Sequence, residues 1–308
     1  MNTSTPTLIL HHYNESPYAE KIRSLLGYKG LAWQSVITPK QMPKPDLTAL
    51  TGGYRKVPVL QIGADVYCDT RLITQVIEEL HPLPATTGAS WSEVVAHWVD
   101  VNLFGKAVAF TFSQIIDFLD DAFLADRAAM SGRNELTRDM VKLSGPLARQ
   151  TLAAELQWIE QGLAAGAPFV NGAYPGHGDF ALYCALWFAR FGRFDFSGLP
   201  ATDAWMKRMK SIGQGERTET SAEVALDMAR DALPQPLTYE CQTPDPAGIA
   251  VGMRVSVQPE VMGKESVEGE LIGLSPQRLT IRLDSERCGQ VHVHFPRVGY
   301  KVRRIQPT

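Results

Sequence analysis

Three dipeptides mark the places where this chain can do chemistry. Ser16-Pro17 opens a helical stretch, serine being a favoured N-cap and proline a favoured first helical residue. A helix N-terminus gathers unpaired N–H groups and the positive end of the dipole, and both favour an anion. A hydroxyl there can donate to a ligand thiolate and draw a thiol pKa from about 8.5 towards neutrality. Alone, the pair is equally a plain helix cap. Val57-Pro58 puts proline just inside a strand, a place normally confined to edges, bulges and cis turns. With a cis bond the Val57 backbone turns outward and can pair with a peptide-like ligand as an added strand. An edge-strand proline is the alternative. Asp69-Thr70 precedes an apolar stripe: Thr70 reads as an N-cap, the helix start suits a ligand carboxylate, and Asp69 can hold a ligand amine. A simple capping pair reads the same way.

The elements that position these residues follow from periodicity. Thr7–His12 reads as a strand, and Tyr18, Ile22, Leu25 and Leu26 fall at i, i+4, i+7 and i+8 on one helix face. Trp33–Ile37 reads as a second strand, Val57–Ile62 with Asp65–Tyr67 as a hairpin after a loop, and Asp69–Leu80 as a helix with Leu72, Ile73, Val76, Ile77 and Leu80 on one stripe. This β-α-β-loop-β-β-α order implies a mixed sheet with helices packed on it. Residues 88–233 are helical almost throughout, with helices expected over Ser90–Asp121, Pro146–Ala165, Asp179–Phe191, Thr202–Ile212 and Ser221–Leu233. HPLPATTG (81–88) and the proline-rich 234–248 read as linkers. Beyond them the period becomes two, and Met253–Gln258, Val267–Leu274, Arg278–Leu283, Val291–Phe295 and Tyr300–Ile305 read as five strands of a small all-β, barrel-like module.

Composition narrows the function classes. The chain has 308 residues, 44% of them hydrophobic and 20% charged, which suits two or three folded domains. A net charge of −3 gives no global attraction for nucleic acid or an anionic membrane. Residues 247–308 carry nine Lys+Arg against six Asp+Glu, so this module is at +3 and the remainder at −6. The four cysteines, Cys68, Cys184, Cys241 and Cys288, show no metal-like spacing, so no metal is expected and a reducing compartment fits. The N-terminus lacks a basic n-region and is not read as a signal peptide, and no apolar run reaches membrane-spanning length; a cytoplasmic location is expected. His292 and His294 share a strand face opposite Val291, Val293 and Phe295; without a third ligand this reads as a solvated face. Arg297, Lys301, Arg303 and Arg304, with Tyr300 among them, read as a solvated basic face, RNA or an acidic protein surface being the alternative.

In combination, the three dipeptides resemble a known family. Residues 7–81 resemble the thioredoxin-like N-terminal domain of the cytosolic glutathione transferases, and 88–233 resemble their all-helical second domain. SPYAEKIR (16–23) is similar to the helix-1 segment of the omega and zeta classes, where Ser or Cys stands seven residues before an Arg, as Ser16 stands before Arg23. RKVPVL (55–60) resembles the cis-proline segment, DTRLITQVIEEL (69–80) the acidic-hydroxyl segment, and HGDFALY (177–183) the capping segment of the buried helix. The resemblance implies domains at 1–82 and 88–233, with the β module at 247–308 outside the pattern.

It further implies a serine-type transferase with glutathione as co-substrate. Ser16 would stabilise the thiolate, Tyr13 being the second candidate hydroxyl; Val57 and Pro58 would present main chain to the cysteinyl backbone; Asp69 and Thr70 would hold the γ-glutamyl end. A small electrophile is the expected second substrate and a homodimer the expected assembly. With no cysteine at 16, a mixed-disulfide mechanism is not expected. Gly176 stands where a hydroxyl N-cap belongs, leaving Asp179 as half of the capping box. Trp91, Trp98, Phe104, Phe110 and Phe112 supply aromatic surface for pocket or core, while Trp187 and Phe188 read as core. The rival reading is a non-catalytic glutathione-binding or interaction scaffold whose β module docks a partner; a nucleic-acid role rests on the +3 module alone.

Overall fold

The structure, a computed structural model, describes residues 6–86, 90–237, 239 and 247–305. Parts of both expected linkers, and Cys241, lie outside the described residues. The first unit runs β1 (Ile9–His12), α1 (Pro17–Tyr28), β2 (Ala32–Ile37), α2 (Pro45–Thr51), β3 (Val59–Ile62), β4 (Asp65–Cys68) and α3 (Thr70–Leu80). β1 pairs parallel with β2 and antiparallel with β3, and β3 antiparallel with β4. The stretch read as a loop contains α2, which is too short to show a periodic stripe; Pro45 at its start and Gly52, at φ 71 just past its end, are its punctuation.

The helical unit comprises α4 (Ser90–Trp98), α5 (Phe104–Ile115), α6 (Asp121–Ser131), α7 (Arg138–Ala164), α8 (His177–Phe191) and α9 (Pro200–Ser211), with a π-helical stretch at Val99–Leu103 between α4 and α5. Two corrections concern its boundaries. The helical run expected over Ser90–Asp121 ends as α5 at Ile115, and 122–131, where the sequence predicts no helix, belongs to α6, which runs from an Asp120 cap to Gly132 at φ 71. The helix expected from Pro146 begins at Arg138, because Thr137 caps it and Val141, Gly145 and Ala148 already form its buried stripe. Pro146 is carried inside at the loss of one intrahelical bond. At α8 the Asp179 carboxylate accepts the Gly176 N–H (3.1 Å), as the residual capping box predicts, and also takes Trp205 Nε1 (2.9 Å). The hydroxyl that position 176 lacks comes from another helix: Ser92 Oγ accepts the Gly178 N–H at 3.0 Å. A Cβ on Gly176 would stand 2.4 Å from that oxygen, so glycine and Ser92 fit as a pair.

After α9 the chain adds β5 (Glu216–Glu219), a wholly polar strand that no apolar alternation announces, parallel to β2, then α10 (Ala222–Asp231) capped by Ser221. The module follows as β6 (Arg254–Pro259), β7 (Val267–Leu274), β8 (Arg278–Ser285), β9 (Gly289–Pro296) and β10 (Tyr300–Arg304), the five expected strands. β6 to β9 form an antiparallel meander, β10 pairs with β6, and β9 pairs parallel with β4. The result is one ten-stranded sheet in the order β10-β6-β7-β8-β9-β4-β3-β1-β2-β5. A single core cluster unites Leu47, Leu50, Tyr54 and Val66 with Val257, Leu271, Ile281, Val293 and Phe295, so the module shares apolar interior with the first unit. Among the described residues no helix is long and apolar enough to cross a membrane, and no cluster of three or more His, Cys, Asp or Glu could hold a metal.

Candidate functional site

Three strand ends meet at one rim of the sheet. The ladders end at His11↔Val59 and Val59↔Cys68, so the segments leading to Ser16, Val57 and Asp69 leave the sheet at the same edge. β1 and β4 therefore deliver α1 and α3 to the same rim, at the strand ends where α/β folds hold ligands.

At the first of these helices Ser16 is the N-cap. Its buried Oγ accepts the Ala19 N–H at 3.2 Å, which leaves the hydroxyl proton free to donate. Arg23 explains the seven-residue spacing: two turns along α1, its guanidinium reaches back to the Asn14 carbonyl (2.9 Å) and the Tyr13 carbonyl (3.4 Å) and fixes the turn before Ser16. Burial raises the pKa of the Tyr13 phenol and Glu15 adds to the rise, while the positive field of Arg127 and Lys40 and the Ser16 hydroxyl oppose it. Lys44 adds to that field 6.0 Å from the Tyr13 ring, burial lowering its ammonium pKa to about 8.

The Val57-Pro58 peptide is cis. Across the rim Asp69, not Thr70, is the N-cap of α3: its Oδ1 accepts the Arg71 N–H at 3.0 Å. The shorter carboxylate reaches that N–H from a non-helical backbone, and Thr70 becomes the first helical residue. Its Oγ1 accepts from Lys21 Nζ at 3.1 Å, a bridge from α1 to α3; the same ammonium lies 3.8 Å from Asp100 Oδ2. Asp69 holds φ at 76°, a conformation that costs a non-glycine residue about 1–3 kcal/mol and persists where surroundings over-determine it. Its Oδ2 accepts from the Tyr300 hydroxyl at 3.0 Å.

Lys21, Tyr54 and Lys56 are residues at this rim that sequence reasoning missed, and Tyr300, expected on the basic face, belongs here instead. Lys21 had a faint signal, three residues past Tyr18 beside the apolar stripe, and Lys56 borders Val57. The Lys56 ammonium lies 5.6 and 5.4 Å from the Tyr54 and Tyr300 ring centroids, with no ion-paired carboxylate among the described residues. Tyr54 and Tyr300 carry no local signal.

The expected solvated face of His292 and His294 is corrected. β9 is paired with β8 and β4 at its edges and is packed by α2, α3 and α10, so its histidine face is not a solvated one. His294 Nε2 donates to Asp65 Oδ1 (2.9 Å), its Nδ1 meets Thr280 Oγ1 (2.7 Å), and its ring stacks on Tyr67 at 4.5 Å. Lys301, Arg303 and Arg304 are exposed as a basic face, but Tyr300 is buried and turns inward. Of the aromatic stripe, Phe104 packs on Tyr18 at 4.4 Å beside the first turn of α1; Phe110 and Phe112 pack against Phe194 and Phe188, and Trp91 is exposed.

Residues 10–85 match the family model described as Glutathione S-transferase, N-terminal domain. The chain is similar over 98% of its length to all of a GST-like protein from Pseudomonas syringae, at 36% identity and TM-score 0.77, an overlap that extends into the C-terminal module. Fold similarity alone extends to FzlA from C. crescentus (22% identity, 67% of this chain and 88% of that one, TM-score 0.53). The same holds for a theta class glutathione S-transferase from Xanthomonas axonopodis pv. citri with glutathione bound (17%, 66% and 92%, TM-score 0.51). Comparison with curated proteins gives no match.

Proposed function

The chain belongs to the cytosolic glutathione transferase superfamily, and on that footing we propose that it binds reduced glutathione along the rim of Ser16, Val57 and Asp69–Thr70 and activates its thiol. The observation that carries this reading is the meeting of two helix N-termini at one rim, one capped by a hydroxyl with a free proton and one by a carboxylate, bridged by the 3.1 Å Lys21–Thr70 bond. An anionic sulfur belongs at the first. A γ-glutamyl end suits the second, its ammonium against Asp69 and its carboxylate at the α3 N-terminus beside Thr70. The Val57 main chain offers strand-like pairing to the cysteinyl residue between them. Lys56, beside Val57, complements a ligand rich in carboxylates.

The chemistry asked of these residues is modest. The thiol proton leaves to solvent, the Ser16 O–H and the α1 N-terminus hold the thiolate, and a sulfur lone pair forms the C–S bond to a small electrophile. In a displacement the leaving group departs with the electron pair of the bond that breaks; in an addition the acceptor's π pair moves onto the acceptor and takes a proton from solvent. Each unit of thiol pKa lowering corresponds to about 1.4 kcal/mol, and holding the two reactants together supplies much of the rest. Phe104, against Tyr18, supplies apolar surface for the acceptor. The active assembly in this reading is a cytoplasmic homodimer of chains with a 1–82 glutathione domain, an 88–233 helical domain and a 247–308 module.

Calorimetric titration with reduced glutathione tests the reading. Binding in the micromolar to millimolar range, about −8 to −4 kcal/mol, retained by Ser16→Ala with turnover of a chromogenic electrophile lost, is the expected result. Absence of heat with the wild type would remove the glutathione reading.

A further inference from the structure

We propose that the C-terminal β module completes the ligand site, with Tyr300 as a positioning residue that holds the Asp69 carboxylate for a ligand ammonium. The inference rests on the glutathione reading above and adds a residue that lies outside the family's two-domain pattern.

The hydrogen-bond directions follow from the donor inventory. A carboxylate only accepts, so the Tyr300 hydroxyl gives its one proton to Asp69 Oδ2. The contact between the Tyr54 and Tyr300 oxygens, 3.0 Å, must then be donated by Tyr54. The result is a directed chain from Tyr54 to Tyr300 to Asp69. Tyr300 cannot swing away from it: its ring packs 5.5 Å from Phe295 and 6.5 Å from Tyr54, and it is buried. Asp69 Oδ1 is engaged at the α3 cap, so Tyr300 fixes the orientation of the one remaining oxygen, which keeps a second acceptor site. Asp69 itself is only partly buried and can be reached by a ligand.

A second contact from the module brackets the same rim. Glu265 pairs with Arg55, two residues before Val57, and Arg55 also pairs with Asp126 of α6. The Gly263 N–H donates to the Met130 carbonyl of α6 at 2.8 Å. The module thus holds both sides of the Val57–Asp69 rim.

Tyr300→Phe removes one hydroxyl and keeps the ring, so it is the test. Glutathione and cysteinylglycine, which lacks the γ-glutamyl ammonium, are titrated into the wild type, Tyr300→Phe, Asp69→Ala and the double variant. The expected result is about tenfold weaker glutathione binding for Tyr300→Phe, from loss of a hydrogen bond to a charged group. Cysteinylglycine binding should stay unchanged, and Tyr300→Phe should add nothing in the Asp69→Ala background. At saturating glutathione, kcat holds while KM rises. Tyr54→Phe should give a smaller shift in the same direction. Equal losses for both ligands, or additive losses in the double variant, would reduce Tyr300 to packing; unchanged glutathione affinity in Tyr300→Phe, with the wild type binding normally, would overturn the proposal and leave the glutathione reading standing. A wild type that binds no glutathione overturns both.

Discussion

The two flanks of the rim are built differently. At Ser16 the cap and the groups that fix it lie within a dozen residues: the cap itself, Pro17 behind it and Arg23 two turns on, with Tyr13 just before it and only the charges around Tyr13 coming from farther along the chain. At Asp69 the cap is local, but the atoms that orient it come from Tyr54 and from Tyr300, which is 231 positions away. One flank is written in a short stretch of sequence; the other depends on the strands that the C-terminal module adds to the same sheet. The Ser16 flank should therefore answer to local substitutions, and the Asp69 flank to changes in the module as well.

What lies beneath the Ser16 flank gives the largest expected effect. His11 and His12 are buried in β1 and held neutral. His11 Nε2 donates to Gln61 Oε1 (2.8 Å), and His12 accepts from Arg23 at Nδ1 (3.0 Å) while its Nε2 donates to Ser35 Oγ (3.0 Å). Burial lowers their pKa values to about 4 and about 3, with the Arg23 charge adding to the second. The folded values lie below the unfolded ones. The unfolded chain therefore takes up protons below about pH 6.5 that the folded chain refuses until about pH 4, and stability is lost as pH falls through that window. These two groups should cost about 4 kcal/mol between pH 7.5 and 5, read from urea unfolding. A pH-independent midpoint would contradict the buried neutral pair.

Next in size, Ser16→Ala should lower turnover about a hundredfold while changing glutathione affinity only a few-fold, with Asp69→Ala doing the reverse. Steady-state kinetics beside calorimetry separates the two; both variants failing in the same parameter would erase the distinction between flanks. Tyr13→Phe should leave most of the turnover, and a loss as large as that of Ser16→Ala would move the thiol-activating role to Tyr13. The smallest effect lies away from the rim. Ser92→Ala should cost about 1 kcal/mol, as loss of a helix cap does, and lower the melting temperature without altering glutathione binding.

Legibility in sequence divides along the same line. α1 and α3 could be read because caps and apolar stripes are local, and the module strands because a period of two survives over their length. α2 and β5 could not, being too short or too polar to carry a period, and the true start of α7 was masked by Pro146. At the rim, Ser16, Val57 and Asp69 stand out by type, but Thr70 does not cap α3, since Asp69 reaches the N–H first. His294 illustrates the limit most directly. Alternation predicts one wet face for β9, and only the parallel pairing with β4, a contact between distant segments, buries it against Asp65 and Tyr67.

The most direct test of the central claim is the ionisation of bound glutathione, followed by thiolate absorbance against pH in the wild type and in Ser16→Ala. The account predicts a bound thiol pKa well below the free value of about 8.5 in the wild type and a return towards that value in Ser16→Ala. A bound thiol that titrates as it does in free solution, in the wild type, would contradict it.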